Sequence, residues 1–269
     1  MRWFLVLMAA LCILTPLSIQ AQVLLHLPAI DDSEPQRIYR LIDLGGRLYV
    51  DSATEIGVPD ARFRALTNYY VMGGWSAARS SIGAISSIYG CDPWVSVFTP
   101  LSWGPLPYQI EGLAWISESE RLIACAWDEA LNVSIVLGID AATGASKPLA
   151  SFPPGLRFSG LAASYLGLAG VTRDLQTDAS AVYLIDMSTW GVAHLVDLPA
   201  PCEALGALGD YPGWFAAGER VFRVTGTEVV EWPVETSGSE IGTIVALGDW
   251  FGFSAVEPTT WGRVKRHYR

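Results

Sequence analysis

The stretch Ile110–Pro199 repeats itself, and that repeat constrains the fold more than any other feature of the chain. The first copy opens Glu111-Gly112-Leu113-Ala114 and closes Leu149-Ala150-Ser151-Phe152-Pro153. The second opens Ser159-Gly160-Leu161-Ala162 and closes Leu195-Val196-Asp197-Leu198-Pro199. Between these landmarks Ile139-Asp140-Ala141-Ala142-Thr143-Gly144 returns as Ile185-Asp186-Met187-Ser188-Thr189, with Gly191 one place late. Gly112 and Gly160 are 48 residues apart, Asp140 and Asp186 are 46. A period in the forties, made of short apolar runs split by turns, is the pattern of four-stranded propeller blades.

The first copy divides into strands at 112–116, 122–127, 133–139 and 147–152. Asp140–Gly144 is a turn in which the Asp side chain accepts from backbone N–H groups ahead of it and Gly supplies a positive φ. The innermost strand is rich in Gly and Ala because sheets crowd near a propeller axis. It is apolar throughout because both its faces are covered. A more degenerate third copy spans 201–235, with strands at 204–208, 214–217, 220–224 and 229–233. A fourth copy follows, since Ala207-Leu208-Gly209-Asp210 returns as Ala246-Leu247-Gly248-Asp249. Its strands are expected at 242–247, 250–254 and 263–268, one short of a blade.

Residues 29–109 are less regular. Ile38–Ile42 and Arg47–Val50 read as strands around the turn pair Gly45-Gly46, and Arg62–Leu66 alternates as a half-exposed strand does. Two divergent blades are expected here, with a boundary between Leu66 and Ser80. The expected fold is therefore an all-β propeller of six four-stranded blades, closed by pairing of the N- and C-terminal strands. Val23–Pro28 matches the fourth-strand ending Leu195–Pro199 in its Leu and Pro positions. It is expected to pair antiparallel with Arg263–Tyr268, which would cover an otherwise open edge. No apolar set keeps helical spacing over several turns after the leader.

Gly-Leu-Ala on the inner strand, followed by Ile-Asp-x-x-Thr-Gly before a strand ending in Leu-Pro, resembles the repeats of exported bacterial β-propellers of the broad NHL/YVTN kind. The resemblance covers 110–199 well, 200–269 weakly and 29–109 hardly at all. It implies a scaffold that displays loops around a central channel, and no particular activity.

The first residues carry a separate signal. Arg2 precedes the apolar run Trp3–Leu14, Thr15-Pro16 breaks it, and Ala21 offers a small residue for cleavage. This reads as a secretory signal peptide over 1–21, leaving a single propeller domain over 22–269 and a secreted or periplasmic location. The alternative, an uncleaved anchor, meets a run shorter than the ~20 residues a span needs, and no second long apolar stretch follows. The formal net charge is −10, and loss of the leader removes one more positive charge. So acidic a balance argues against nucleic acid and anionic membranes, which require basic patches. Charged residues are 16% and hydrophobic ones 51%, ample for a packed core. Cys91, Cys125 and Cys202 remain after cleavage, none at metal-ligand spacing. They read as buried small hydrophobes, with a Cys91–Cys202 disulfide as the alternative in an exported protein.

Few constellations could carry chemistry. The three histidines, His26, His194 and His267, form no metal pair and no triad on the channel side. No phosphate-binding loop is present. Calcium-dependent lactonase-like propellers use Asn and acidic groups in the channel, but only Asn68 and Asn132 remain in the mature chain. No catalytic residue, metal or cofactor is assigned. The candidate ligand-binding residues are Glu111, Glu203 and Glu240, which immediately precede inner strands and could ring the channel mouth, with Ser159 interrupting the ring. Such carboxylates could ligate a cation or supply a general acid; the alternative is solvated loop charge. Trp75, Trp94 and Trp103 could stack on sugars or anchor a partner, or else pack between blades. The expected function is a binding module without catalysis, with an unidentified protein or carbohydrate ligand. The alternatives are a channel-mouth hydrolase using acidic residues and a structural envelope component.

Overall fold

Short apolar runs separated by Asp- and Gly-containing turns fold into antiparallel meanders, and such meanders account for nearly every strand of this computed structural model. It describes residues 24–44, 46–68, 74–80, 86–92, 97–116, 121–164, 166–174, 176–207, 213–236, 241–248 and 251–253. The chain begins with a three-stranded meander, β1 (Leu24–Asp31), β2 (Arg37–Asp43) and β3 (Leu48–Glu55). Four complete blades follow. The first is β4 (Ala61–Asn68), β5 (Gly74–Ser80), β6 (Ser86–Asp92) and β7 (Val97–Pro100). The second is β8 (Gln109–Ile116), β9 (Arg121–Asp128), β10 (Val133–Ile139) and β11 (Ser146–Ser151). The third is β12 (Phe158–Ser164), β13 (Gly167–Arg173), β14 (Ser180–Ile185) and β15 (Val192–Leu198). The fourth is β16 (Cys202–Ala207), β17 (Trp214–Gly218), β18 (Val221–Thr225) and β19 (Glu228–Glu231). Then come β20 (Val234–Glu235), β21 (Ile244–Leu247) and β22 (Phe251–Phe253).

The fold is an all-β propeller, closed as expected by pairing of the two ends of the chain. β21 runs antiparallel to β1, with Ala29 opposite Leu247, Ile30 opposite Ala246 and Asp31 opposite Ile244. The closing blade is thus β21, β1, β2 and β3 from the axis outward. Innermost strands touch in one cycle, β4 to β8, β12, β16, β21 and back to β4. Five core clusters alternate with the sheets, each built from the facing sides of two consecutive blades.

Three sequence expectations change here. The described residues hold five blades, not six. The N-terminal meander and the last repeat copy, each taken as a blade, are two parts of one sheet joined by backbone hydrogen bonds. The N-terminal strand takes the second place in that sheet, not the fourth, and its partner is 244–247; Arg263–Tyr268 lie outside the described residues. The boundary after the N-terminal meander falls between Glu55 and Ala61. The leader 1–21 also lies outside the described residues.

Polar side chains bolt the blades together. An inner strand is the edge of its sheet, so part of its backbone has no ladder partner and must find one elsewhere. In four junctions a buried side chain near the start of the preceding blade's third strand supplies it. Gln36 Oε1 accepts from Phe63 N at 2.6 Å, Ser86 Oγ from Ile110 N at 3.0 Å, Ser134 Oγ from Phe158 N at 3.0 Å and Ser180 Oγ from Cys202 N at 2.9 Å. Gln36 Nε2 also donates to the carbonyls of Asp31 and Phe63.

The closing blade has its own clamp. Asp31 is fully buried and its carboxylate accepts from Ser33 Oγ, Arg37 N, Tyr39 OH at 2.7 Å and Gly242 N at 3.3 Å. It therefore ties the N-terminal meander to the turn entering β21. Burial, and then the hydrogen bond to Asp31, push the Tyr39 phenol up to about 12, so it stays a donor. On the outer side β20 lies parallel to β3, and Arg47 pairs with Glu235.

The expected Asp turns are present, and a third was missed. Asp140 Oδ1 accepts from Ala142 N and Thr143 N, and Gly144 has φ +73°. At Asp186 the left-handed position is Trp190, φ +59°, rather than Gly191. Asp174–Asp178 repeats the device, with Gln176 N and Thr177 Oγ1 donating to Asp174.

Crowding at the axis explains the inner glycines. A Cβ on Gly112 would stand 2.5 Å from Leu161 N, and one on Gly160 2.8 Å from Leu205 N, both backbone atoms of the next blade.

Three outcomes follow from this packing. Gly112→Val and Gly160→Val should each lower unfolding free energy by about 1–3 kcal/mol or more in urea titrations, since backbone cannot yield as a side-chain tip does. Ser134→Ala should cost about 1–3 kcal/mol by leaving the buried Phe158 N–H unmet, while the exposed Ser102→Ala leaves the midpoint unchanged. The Asp186 carboxyl is held down to about 2 by the Ser188 hydroxyl and backbone and by Thr189. Its ordinary value is higher, so this turn contributes stability above about pH 4 that is lost as pH falls through about 2. Melting temperatures of Asp186→Asn measured from pH 5 to pH 2 should therefore fall less steeply than those of the parent.

Candidate functional site

Each inner strand carries a β-bulge at the same place, which in four blades is next to the residue held by the junction hydrogen bond. The ladder steps from Phe63 to Ala65, from Ile110 to Gly112, from Phe158 to Gly160 and from Cys202 to Ala204. On β21 it steps from Ile244 to Ala246. The skipped residues are Arg64, Glu111, Ser159, Glu203 and Val245, at intervals of 47, 48, 44 and 42 residues. A bulge re-aims the extra residue, so one residue per blade gathers at one end of the axis. Arg64, Glu111, Ser159 and Val245 line a common axial cavity with Gly112, Gly160 and Ala204. That cavity measures about 10 Å3, room for one water at most. A cavity of that size holds no ligand, so what a ligand could reach is the end of the axis where the bulge residues stand.

Glu111 and Glu203 thus occupy equivalent positions on one face, as their place in the repeat predicts. Neither stands alone. Arg157 Nη2 donates to Glu111 Oε1 at 3.0 Å, and Arg64 Nη1 donates to Glu203 Oε2 at 2.9 Å. Arg173 Nη1 pairs with the other oxygen of Glu203. Because β4 and β16 flank β21, the Arg64–Glu203 pair braces two blades that are not neighbours. Arg157 also lies over the Trp127 ring, 5.0 Å from its centroid, a cation–π contact. Arg173 is held from the outside by Asp178, at 2.8 Å.

The paired groups differ in exposure. The side chains of Glu111 and Glu203 are 8% and 21% exposed, those of Arg157 and Arg64 27% and 31%. Glu240, the third expected member, lies outside the described residues.

The three arginines are what sequence reading missed. Arg64 was legible, since it precedes Glu111 by one repeat interval. Its alternating segment read as a half-exposed strand because the bulge places a charged residue among the buried Phe63, Ala65 and Leu66. Arg157 has Gln109 as its counterpart in the preceding copy, so the repeat gives no signal for it, and Arg173 enters from the second strand of its blade.

Other candidates disperse. Trp103 packs over Gly144, where a Cβ would meet its ring; Trp94 and the Trp75 side chain lie outside the described residues. His26 sits on β1, with its pKa lowered by burial and then by Arg40. His194, on β15, meets Asp197 at 2.8 Å, and His267 is outside the described residues. Among the described residues no group of three His, Cys, Asp or Glu could hold a metal ion, and no helix is long and apolar enough to cross a membrane. Cys91 and Cys202 belong to different core clusters, and no disulfide joins them.

No protein-family model matches the chain, and no curated protein matches it. Solved structures do. A chain of a nidogen/laminin complex aligns with a TM-score of 0.51 at 10% identity, over 83% of this chain and 97% of that one. TolB from Acinetobacter baumannii aligns with a TM-score of 0.52 at 9% identity, over 78% of this chain and 52% of TolB. Identities this low speak to architecture alone, and with the closed ring of radial sheets they make this chain a β-propeller.

Proposed function

We propose that this protein is an exported binding module without catalytic activity, whose ligand docks on the axial mouth formed by Arg64, Glu111, Ser159 and Glu203. The observation that carries this reading is the shared register. Four blades carry a polar bulge residue at the same register of the inner strand, and a binding surface assembled from several blades is what a propeller scaffold offers. Glu240, which precedes β21 in the sequence, stays a candidate on its repeat position alone. Export rests on Arg2, the apolar run Trp3–Leu14 and the small residue Ala21.

Pairing favours binding over hydrolysis. Acid-dependent hydrolysis needs two carboxyl groups converging on a cleft with a carboxyl free to give or take a proton. Here Glu111 is held by Arg157, and Glu203 is shared by Arg64 and Arg173. A protein ligand is compatible with a propeller of this size, as one similar structure is that of a nidogen/laminin complex. A carbohydrate ligand is the other class.

The test is affinity capture from a native envelope extract with the mature chain immobilised. The parent and the outer-strand variant Arg220→Ala/Glu231→Ala should retain the same species, and Arg64→Ala/Arg157→Ala should lose it while its melt remains cooperative. Retention by the mouth variant equal to that of the parent would remove the mouth as the docking site.

A further inference from the structure

We infer that the ring has one seam, between the fourth blade and the closing strand β21, and that the Arg64–Glu203 ion pair is the latch that holds this seam shut. This gives the two side chains a conformational role that requires no ligand at the mouth.

A missing bolt is the first argument. Ser86, Ser134 and Ser180, which bolt three junctions, stand opposite Arg79, Trp127 and Arg173 at the end of the second strand of their own blades. Each of those residues follows the one that faces the inner strand beside its bulge, for Ala78 faces Phe63, Ala126 faces Ile110 and Thr172 faces Phe158. In the fourth blade Gly218 faces Cys202, so the place opposite a bolt falls to Glu219. There the hairpin has already turned: Gly218 N donates to Arg220 O at 3.0 Å, and β18 begins only at Val221. The hairpin is one rung too short to carry a bolt. Among the described residues, the side-chain bond to the backbone entering β21 comes from Asp31 of the closing blade itself. The strand is otherwise tied to its own sheet, by its ladder with β1, by Asp32 N to Thr243 O at 3.0 Å and by Gly248 N to Pro28 O at 2.9 Å. Toward the fourth blade it offers apolar packing, Ile244 and Leu247 sharing a buried cluster with Ala204, Phe215, Ala217 and Val221.

The place of the ion pair is the second argument. Gln36 bolts the closing blade to β4, so the first blade moves with it. Parting β16 from β21 therefore carries Arg64 away from Glu203, and the charged hydrogen bond between them, at 2.9 Å, must break. Glu203 is anchored on its own side of the seam. Arg173 pairs with its other oxygen and is itself held by Asp178 at 2.8 Å, and both belong to the third blade, which Ser180 bolts to the fourth. Each half of the latch is thus fixed to one side of the seam.

Native-state thiol labelling reads the seam directly. Cys91, Cys125 and Cys202 are buried in three different clusters, at three other junctions. Val221→Cys places a thiol in the seam cluster, and Val182→Cys places a matched one at the junction bolted by Ser180. Iodoacetamide pulses in native buffer are read by peptide mass spectrometry, with each rate normalised to that of the same chain in urea. The seam thiol should be modified about tenfold or more faster than the Val182→Cys thiol and the three native ones, as a local opening that spares the other junctions requires. In the Val221→Cys background, Glu203→Gln or Arg64→Gln should each quicken the seam thiol about tenfold again, as loss of a charged hydrogen bond does, and leave the native thiols unchanged. Glu231→Gln, at an exposed outer-strand pair, should change nothing. A melt confirms that each variant folds, and the comparison of seam and native thiols with the latch intact decides the seam by itself. The seam falls if all the thiols react at one rate, since the ring then opens only by global unfolding. The latch falls if Glu203→Gln and Arg64→Gln quicken every thiol alike, or none.

Discussion

The bond from a buried side-chain oxygen of one blade to a backbone N–H on the inner strand of the next is the interaction on which the rest of the ring depends. An inner strand has a sheet neighbour on one side only, and its other side faces the crowded axis. A buried N–H left unmet there would cost about 1–3 kcal/mol. Gln36, Ser86, Ser134 and Ser180 meet it at four junctions. Each of these bonds also fixes the residue just before a bulge, so the same contact that joins two blades aims the next side chain at the mouth. Assembly and site geometry are therefore coupled through one repeated polar contact.

The closing blade solves a different problem. Its inner strand and its three outer strands come from opposite ends of the chain, so no turn holds them in register. Backbone pairing of 29–31 with 244–247 supplies part of the specification. The rest comes from Asp31, whose carboxylate collects donors from Ser33, Arg37, Tyr39 and Gly242. A buried charge is tolerated when it is this fully hydrogen-bonded. Loop-closure entropy grows only logarithmically with length, which makes a join across nearly the whole ring affordable.

At the mouth, the glutamates are paired with arginines from other strands. Arg157 holds Glu111, and Arg64 and Arg173 share Glu203, with the arginine the more exposed member of each pair. Arg64 reaching across to Glu203 braces blades that do not touch in sequence order, which makes the mouth a structural element as well as a surface. A partly buried pair of this kind is held by geometry and supplementary hydrogen bonds more than by Coulomb attraction alone, given the desolvation it suffers.

Much of this was legible in the residues. The period in the forties and the turns at Asp140 and Asp186 identify propeller blades, because short apolar runs with turns at fixed spacing leave few other packings. The places of Glu111 and Glu203 before inner strands put them at equivalent positions, since equal register gives equal geometry. The blade count was not legible: a sheet shared between the chain's ends looks like two incomplete repeats until backbone hydrogen bonds join them. Nor was the identity of the arginines that pair with the glutamates. Arg157 and Arg173 come from non-equivalent positions, and Arg64 looks like ordinary strand alternation until a bulge turns it inward. The sequence by itself determined the repeat, the blade topology and the residues beside the axis, all of which are local. Tertiary structure alone decided how many blades close the ring and which arginines pair with the axial glutamates, because both depend on contacts between segments far apart in the chain.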